Sequence, residues 1–306
     1  MEKFGEGGFA FVYRVSDSSG QSFALKRILL VDRKAQENAQ REIDFLQKLP
    51  RHRAIVELVD SEVNRKEALL LFELCSGGSV YHLIERRLEQ RRPLGEDEVW
   101  AIFHACCEAV EHCHIQNPPV QHRDLKVENL LLAKRGVVLC DFGSATTHVW
   151  NTKSSQERRA AEEDINNNTT MSYRAPEMAD LYGGYLITEK CDIWALGVLL
   201  YRLAYFEPPW EADSSLAILN CKYRIPHQRY SKALPDLIKK LLVLDPTRRP
   251  DIYDVLEYVI QVRGKRMSET MARRRQDYRS RAASTPSSSS SSSQQASRSS
   301  SRKPKS

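Results

Sequence analysis

Three oxygen-bearing side chains stand out by type and spacing. Asp124 and Asn129 lie five residues apart in Gln121-His122-Arg123-Asp124-Leu125-Lys126-Val127-Glu128-Asn129, and Asp141 opens Asp141-Phe142-Gly143. A carboxylate can accept the proton of an attacking hydroxyl. A carboxamide and a second carboxylate can hold a hard divalent cation through oxygen. For that chemistry the three must converge. Between Asn129 and Asp141 the chain runs Leu130-Leu131-Leu132-Ala133, a basic turn Lys134-Arg135-Gly136, then Val137-Val138-Leu139-Cys140. Two short apolar runs about a turn predict a hairpin that folds Asn129 back beside Asp141. Either short motif alone arises by chance; both around a hairpin seldom do.

A second set lies upstream. In Gly5-Glu6-Gly7-Gly8-Phe9-Ala10-Phe11-Val12 the glycines let backbone amides close over phosphates without side-chain clash. Alone, the segment is an ordinary glycine-rich turn between strands. One hairpin later, Phe23-Ala24-Leu25-Lys26 reads as an apolar strand ending in a cation. Lys26 needs a carboxylate to fix it, and Glu42 lies sixteen residues on, where Ala35, Ala39, Ile43 and Leu46 recur at helical spacing. By itself Glu42 would be a solvated helix carboxylate. With the other parts present it is expected to pair with Lys26.

Together these motifs resemble those of eukaryotic protein kinases. The resemblance assigns Asp124 as the base, Lys126 to the γ-phosphate, Lys26 to the α- and β-phosphates, and Asn129 and Asp141 to Mg2+, with Mn2+ as a substitute. It places ATP against Gly5, Gly7, Gly8, Ala10, Val12, Ala24, Lys26 and Glu128. Phe72-Glu73-Leu74-Cys75 would be the hinge. Adenine would lie between Val12 and Ala24 above and Leu131 below, bonded to the backbone of Glu73 and Cys75, with Phe72 closing the rear of the pocket. A third set extends the match: Ala175-Pro176-Glu177 ends the activation segment, Asp192 begins Asp192-Ile193-Trp194-Ala195-Leu196-Gly197 and would brace the catalytic loop, and Arg249 would pair with Glu177.

The implied fold is α+β and bilobal, a small antiparallel sheet lobe on a larger helical lobe. Residues 9–31 and 55–74 read as the sheet, around the helix that carries Glu42. Residues 96–116, 188–205, 231–243 and 251–262 read as helices. The expected boundaries are a kinase domain over 1–263 (N-lobe 1–74, hinge 72–76, C-lobe 77–263) and a disordered, basic Ser/Arg-rich tail over 264–306. Met1 stands only four residues before Gly5, so a shortened first strand is expected.

Lys126, two residues after the catalytic Asp, and Thr170, five before Ala175, follow the pattern of serine/threonine kinases, in which the threonine ties Asp124 and Lys126 to the substrate platform. Finer detail resembles the Numb-associated kinase family, which includes adaptor-associated and cyclin-G-associated kinases and fungal actin-regulating kinases. The details are Glu6-Gly7-Gly8-Phe9-Ala10, Cys140-Asp141-Phe142-Gly143-Ser144-Ala145-Thr146, Thr169-Thr170-Met171-Ser172-Tyr173-Arg174-Ala175-Pro176-Glu177-Met178, Leu181-Tyr182 and Asp251-Ile252-Tyr253. That likeness implies clathrin-adaptor, endocytic or cortical-actin proteins as substrates, and a cytoplasmic enzyme working at endocytic membranes or the cell cortex. The alternative is a pseudokinase scaffold, although Lys26, Asp124 and Asp141 are all present. The extended activation segment speaks against a small-molecule phosphotransferase.

Composition bounds the rest. The 306 residues suffice for two lobes, and no run of eighteen apolar residues exists to span a membrane. The seven cysteines are scattered, which fits a reducing compartment; Cys106, Cys107 and Cys113 fall in a strongly apolar helix and read as core rather than metal ligands. From Gly264 on, eleven Lys and Arg face two acids, giving +9 against +6 for the whole chain, so the basic character belongs to the tail. Its readings are a solvated tail, a contact with acidic lipid or nucleic acid, or a phosphorylation substrate. In the activation segment, Glu162-Glu163-Asp164 is either a solvated run or a stand-in for a phosphate opposite Arg123; Ser154, Ser155 and Thr169 are candidate phosphosites.

Overall fold

The computed structural model describes residues 2–7, 10–210, 214–226 and 229–284, with side chains for 10–281 among them. The chain divides into two compact units, Met1–Met267 and Ser268–Ser306.

The first unit begins with five antiparallel strands: β1 (Glu2–Gly7), β2 (Ala10–Ser16), β3 (Ser22–Leu29), β4 (Leu58–Val63) and β5 (Glu67–Glu73), in the order β1-β2-β3-β5-β4. The short N-terminal segment does form a strand, Glu2 pairing with Arg14 and Gly7 with Ala10. Between β3 and β4 runs helix α1 (Arg33–Lys48). Asp32 starts it by accepting the Ala35 N–H at 2.7 Å, one of the donors that a helix start leaves unpaired. Ala39 and Ile43, four residues apart, fall on one face and pack with Val56, Ala68, Leu70, Phe72 and Val138. That core fixes α1 against the sheet and places buried Glu42 beside β3.

The larger lobe contains α2 (Val80–Glu89), α3 (Glu96–His114), the hairpin β6 (Leu130–Ala133) and β7 (Gly136–Leu139), β8 (Trp150–Asn151), α4 (Ser155–Asn168), α5 (Pro176–Ala179), β9 (Leu186–Ile187), α6 (Lys190–Tyr205), α7 (Ser215–Leu219), α8 (Ala233–Leu241) and α9 (Ile252–Val262). Helix α6 is apolar nearly all round, and Ile193, Trp194, Leu196, Leu199, Leu200 and Leu203 have no exposed surface. It is the buried axis of the lobe. Gly197 permits the closest approach: a Cβ there would lie 2.7 Å from a Leu242 methyl and 2.9 Å from Leu241 Cβ.

The four helices expected from periodicity are α3, α6, α8 and α9, with ends up to two residues inside the expected limits. Helices α2, α4 and α7 fall where no helix is expected. Ser79, Ser154 and Ser214 cap them, each hydroxyl accepting a backbone N–H in the first turn.

In the second unit, the expectation of a tail without structure over 264–306 is corrected by α10 (Glu269–Ser284). Its sequence, ETMARRRQDYRSRAAS, has few apolar residues for a core but is rich in Arg and Ala, both good helix formers. Low hydrophobicity argued against burial, not against a helix. The serine run 287–293 lies outside the described residues.

Candidate active site

The β6–β7 hairpin pairs Leu130 with Leu139 and Ala133 with Gly136, which sets Asn129 and Asp141 at its open end. Asn129 Nδ2 donates to Asp124 twice, to the backbone O at 2.8 Å and to Oδ2 at 3.0 Å. The other Asp124 oxygen accepts the Thr170 hydroxyl at 2.6 Å. Lys126 Nζ lies 2.8 Å from Asp124 Oδ2 and donates to Thr170 Oγ1 at 2.9 Å. Asp124, Lys126, Asn129 and Thr170 therefore form one network, and the Asp124 carboxylate is oriented before any substrate arrives.

Across the cleft, Lys26 Nζ reaches Glu42 at 2.9 and 2.7 Å and Asp141 Oδ1 at 3.3 Å. Burial works against the ammonium, but the charges of Asp141 and Glu42 outweigh it and hold its pKa above the ordinary lysine value. Lys26 stays a cation. The Lys26 charge likewise holds Asp141 below the usual carboxylate range in spite of burial. Phe142 is fully buried with its ring edge-on to His122, centroids 4.9 Å apart, which leaves Asp141 facing the cleft.

Two residues here have left-handed backbones, Arg123 and Asp141, both at φ 65°. A non-glycine residue there costs about 1–3 kcal/mol and persists only where its surroundings enforce it. Asp192 does so for the first, accepting the N–H groups of His122 and Arg123, each at 2.8 Å. His114 Nε2 lies 2.9 Å from the same carboxylate. Burial opposes ionisation of Asp192, yet the His114 hydrogen bond and its other partners keep its pKa low.

Next to this network a pocket of about 340 Å³ opens between the lobes, lined by Val12 and Ala24 from the sheet, Leu131 from β6, and Phe72, Glu73 and Cys75 from the connector. Glu128 also lines it; its carboxylate lies 3.2 Å from Arg202 Nη2. The Glu73 side chain turns away to Arg135 and the Glu57 N–H, so only its backbone can serve a ligand. Burial pushes the Cys75 thiol up to about 11, and Cys140 well above its ordinary value, so neither is a thiolate near neutral pH. Gly5 and Gly7 lie in β1 opposite Val12 and Ala10, while Gly8 lies outside the described residues.

Residues 1–259 match the protein kinase domain family. The chain belongs to that family. A probable serine/threonine-protein kinase of Dictyostelium discoideum is 46% identical over 268 residues, 85% of this chain and 33% of the relative. A second from the same organism is 41% identical over 263 residues, covering 83% and 23%. A serine/threonine-protein kinase of Schizosaccharomyces pombe is 39% identical over 267 residues, covering 85% and 28%. The chain thus spans between about a quarter and a third of the length of these relatives.

In this kinase domain the donor set suits Mg2+. That ion takes one or two protein oxygens and completes its shell with phosphates and water. Asp141 supplies a carboxylate, and Asn129, with its Nδ2 committed to Asp124, keeps its carbonyl oxygen as ligand. Among the described residues no cluster of three or more His, Cys, Asp or Glu competes for a metal. Farther down, Arg249 grips Glu177 with two bonds of 2.7 and 2.6 Å, both side chains buried.

Several contacts have no clear trace in the sequence: His114 to Asp192, Arg202 to Glu128, Arg135 to Glu73, and Arg41 Nη1 to the Gly143 carbonyl at 3.1 Å. Each joins residues distant in the chain, so a motif that holds one partner does not point to the other. Helix α4 did carry a local signal, Ser154 followed three residues later by Glu157, whose N–H bonds the serine hydroxyl at 3.1 Å.

Proposed function

We propose that this protein is an ATP-dependent serine/threonine protein kinase that transfers the γ-phosphate to hydroxyl groups of protein substrates. The observation that carries this reading is the Asp124 carboxylate, held by Asn129 on one oxygen and by Thr170 on the other, with Lys126 beside both. Bound Mg2+ neutralises phosphate charge, and Asn129 and Asp141 would hold it. Lys26, fixed by Glu42, orients the nucleotide phosphates. Asp124 receives the proton of the attacking hydroxyl, and Lys126 and Thr170 keep that carboxylate pointed at the acceptor. The pocket between Ala24 and Leu131 takes adenine and excludes water from one side of the reacting groups.

The likeness to Numb-associated kinases supports endocytic adaptors or cortical-actin regulators as substrates, and action at endocytic membranes or the cell cortex. The five arginines of α10, set against Glu269 and Asp277, support contact with acidic lipid headgroups, nucleic acid being the competing outcome. Phosphate transfer from ATP to adaptor and actin-regulatory peptides on an array tests both levels. Transfer to unrelated Ser/Thr peptides alone would keep the kinase and reject the substrate class.

A further inference from the structure

Arg174 is a part-buried arginine of the catalytic region that meets no carboxylate among the described residues. Arg123, Arg202 and Arg249 each face a carboxylate. Arg174 has no ion pair among the described residues and spends its hydrogen bonds on one short segment. Its Nε donates to Thr169 Oγ1 at 2.8 Å and Nη1 to Asn166 Oδ1 at 2.9 Å; Nη2 donates to the carbonyls of Ile165 and Thr169 at 3.4 and 3.3 Å. Those carbonyls belong to the last turn and cap of α4, so Arg174 is the side-chain cap of its C-terminus. Burial lowers the Arg174 pKa with no anion opposing it. Thr169 is half-buried and lines the substrate cleft with Asp124 and Thr170. Its hydroxyl accepts from Arg174 and donates to the Ile165 carbonyl at 2.7 Å.

We propose that Thr169 and Arg174 form a phosphorylation switch that turns the kinase off. In the modification a bond forms between Thr169 Oγ1 and the γ-phosphorus of ATP as the bridging oxygen bond breaks. The hydroxyl proton goes to a carboxylate base of the modifying Ser/Thr kinase, and ADP leaves. The new group carries close to two negative charges and three strong acceptors. It can no longer donate to Ile165, and it lies at the negative end of α4, where an anion is unfavourable. Arg174, the uncompensated cation already on that oxygen, turns from the helix carbonyls to the phosphate. Helix α4 loses its cap. That helix carries Asp164, which holds Arg123 next to the catalytic Asp124. Turnover falls, while the pocket around Ala24 and Leu131 is left as it was.

The test uses the full chain with phosphothreonine genetically encoded at 169, beside the unmodified chain, each with Arg174 intact and as Arg174→Gln. Only the activity arm rests on the kinase reading. Two arms stand without it: 31P NMR titration, and hydrogen exchange across 155–168. The second phosphate ionisation is expected to fall about tenfold in proton affinity below its ordinary pKa of about 6, and to return there in Arg174→Gln. Exchange in α4 is expected to quicken about tenfold on phosphorylation. Turnover should drop with ATP affinity unchanged. Arg174→Lys, which keeps the charge without the fork, should give an intermediate shift and serves if the Gln variant does not fold. A phosphate titrating at its ordinary value with or without Arg174, or slower exchange in α4 with raised turnover, overturns the switch.

Discussion

Arg123 turns both terminal nitrogens of its guanidinium to Asp164, forty-one residues away on α4. The same carboxylate accepts from Trp150 Nε1 at 3.3 Å and from Asn168 Nδ2 at 2.7 Å. One acid thereby joins Arg123, the residue before the proposed base Asp124, to β8 and to the end of α4. In many kinases the arginine at that place is neutralised by a phosphate on the activation segment. Here the counter-charge is encoded in the chain, and Glu162 and Glu163 beside it stay exposed.

An enzyme built this way is expected to be active as synthesised. Phosphatase treatment should leave its turnover unchanged. Asp164→Asn should lower turnover and reduce stability by about 1.5–3 kcal/mol, the range for hydrogen bonds to a charged group. Kinase assays and denaturant melts on both proteins check this. Full dependence on phosphate, with no loss on neutralising Glu162, Glu163 and Asp164 together, would reject it.

The pH dependence separates a carboxylate from a phosphate at this position. Burial raises the Asp164 pKa, but the bonds and charge of Arg123 outweigh it, and the net shift is downward. A group depressed in the folded state contributes fully above its unfolded pKa, about 3.9 for Asp, and loses that contribution as pH falls through the folded value. The Arg123–Asp164 link should therefore be unchanged from pH 5 to 8. A phosphate, with a second ionisation near pH ~6, would titrate inside that window. Fluorotryptophan NMR of Trp150 in a His148→Gln background, which removes the imidazole packed 4.3 Å from that ring, reports on the link, and a resonance shift centred near pH ~6 there would count against the carboxylate.

The pair Glu177–Arg249 is predicted to be structural. With both side chains buried, Arg249→Ala leaves an uncompensated carboxylate and should cost about 3–5 kcal/mol. The double variant with Glu177→Gln should recover part of that loss. Thermal melts of the two variants decide it, and an unchanged midpoint for Arg249→Ala would refute the assignment.

Much of the site was legible because its chemistry is bound to short motifs. Asp124, Asn129 and Asp141 are placed by one loop and one hairpin, and Lys26 is matched to Glu42 by a strand followed by an amphipathic helix. What was hidden is α4. The segment Ser155–Asn168 is mostly polar and buries only Ala161, Ile165 and Asn168, so hydrophobic periodicity scarcely marks it. Its acidic run was legible as charge, but which of three acids meets Arg123 depends on helical phase. Ile165, fully buried beside Asp164, fixes that phase. The α10 helix was hidden because low hydrophobicity marks no core, whereas its Arg and Ala residues still favour a helix.

Transfer of labelled γ-phosphate to a protein substrate by wild type and Asp124→Asn, with ATP affinity measured on both, bears most directly on the proposed chemistry. Asp124→Asn removes the base but keeps the fold around Asn129 and Thr170. Turnover should fall by about 100- to 10,000-fold while ATP affinity stays the same. Equal rates for the two proteins, or ATP binding by wild type without any transfer, would contradict the assignment of Asp124 and leave a nucleotide-binding scaffold in its place.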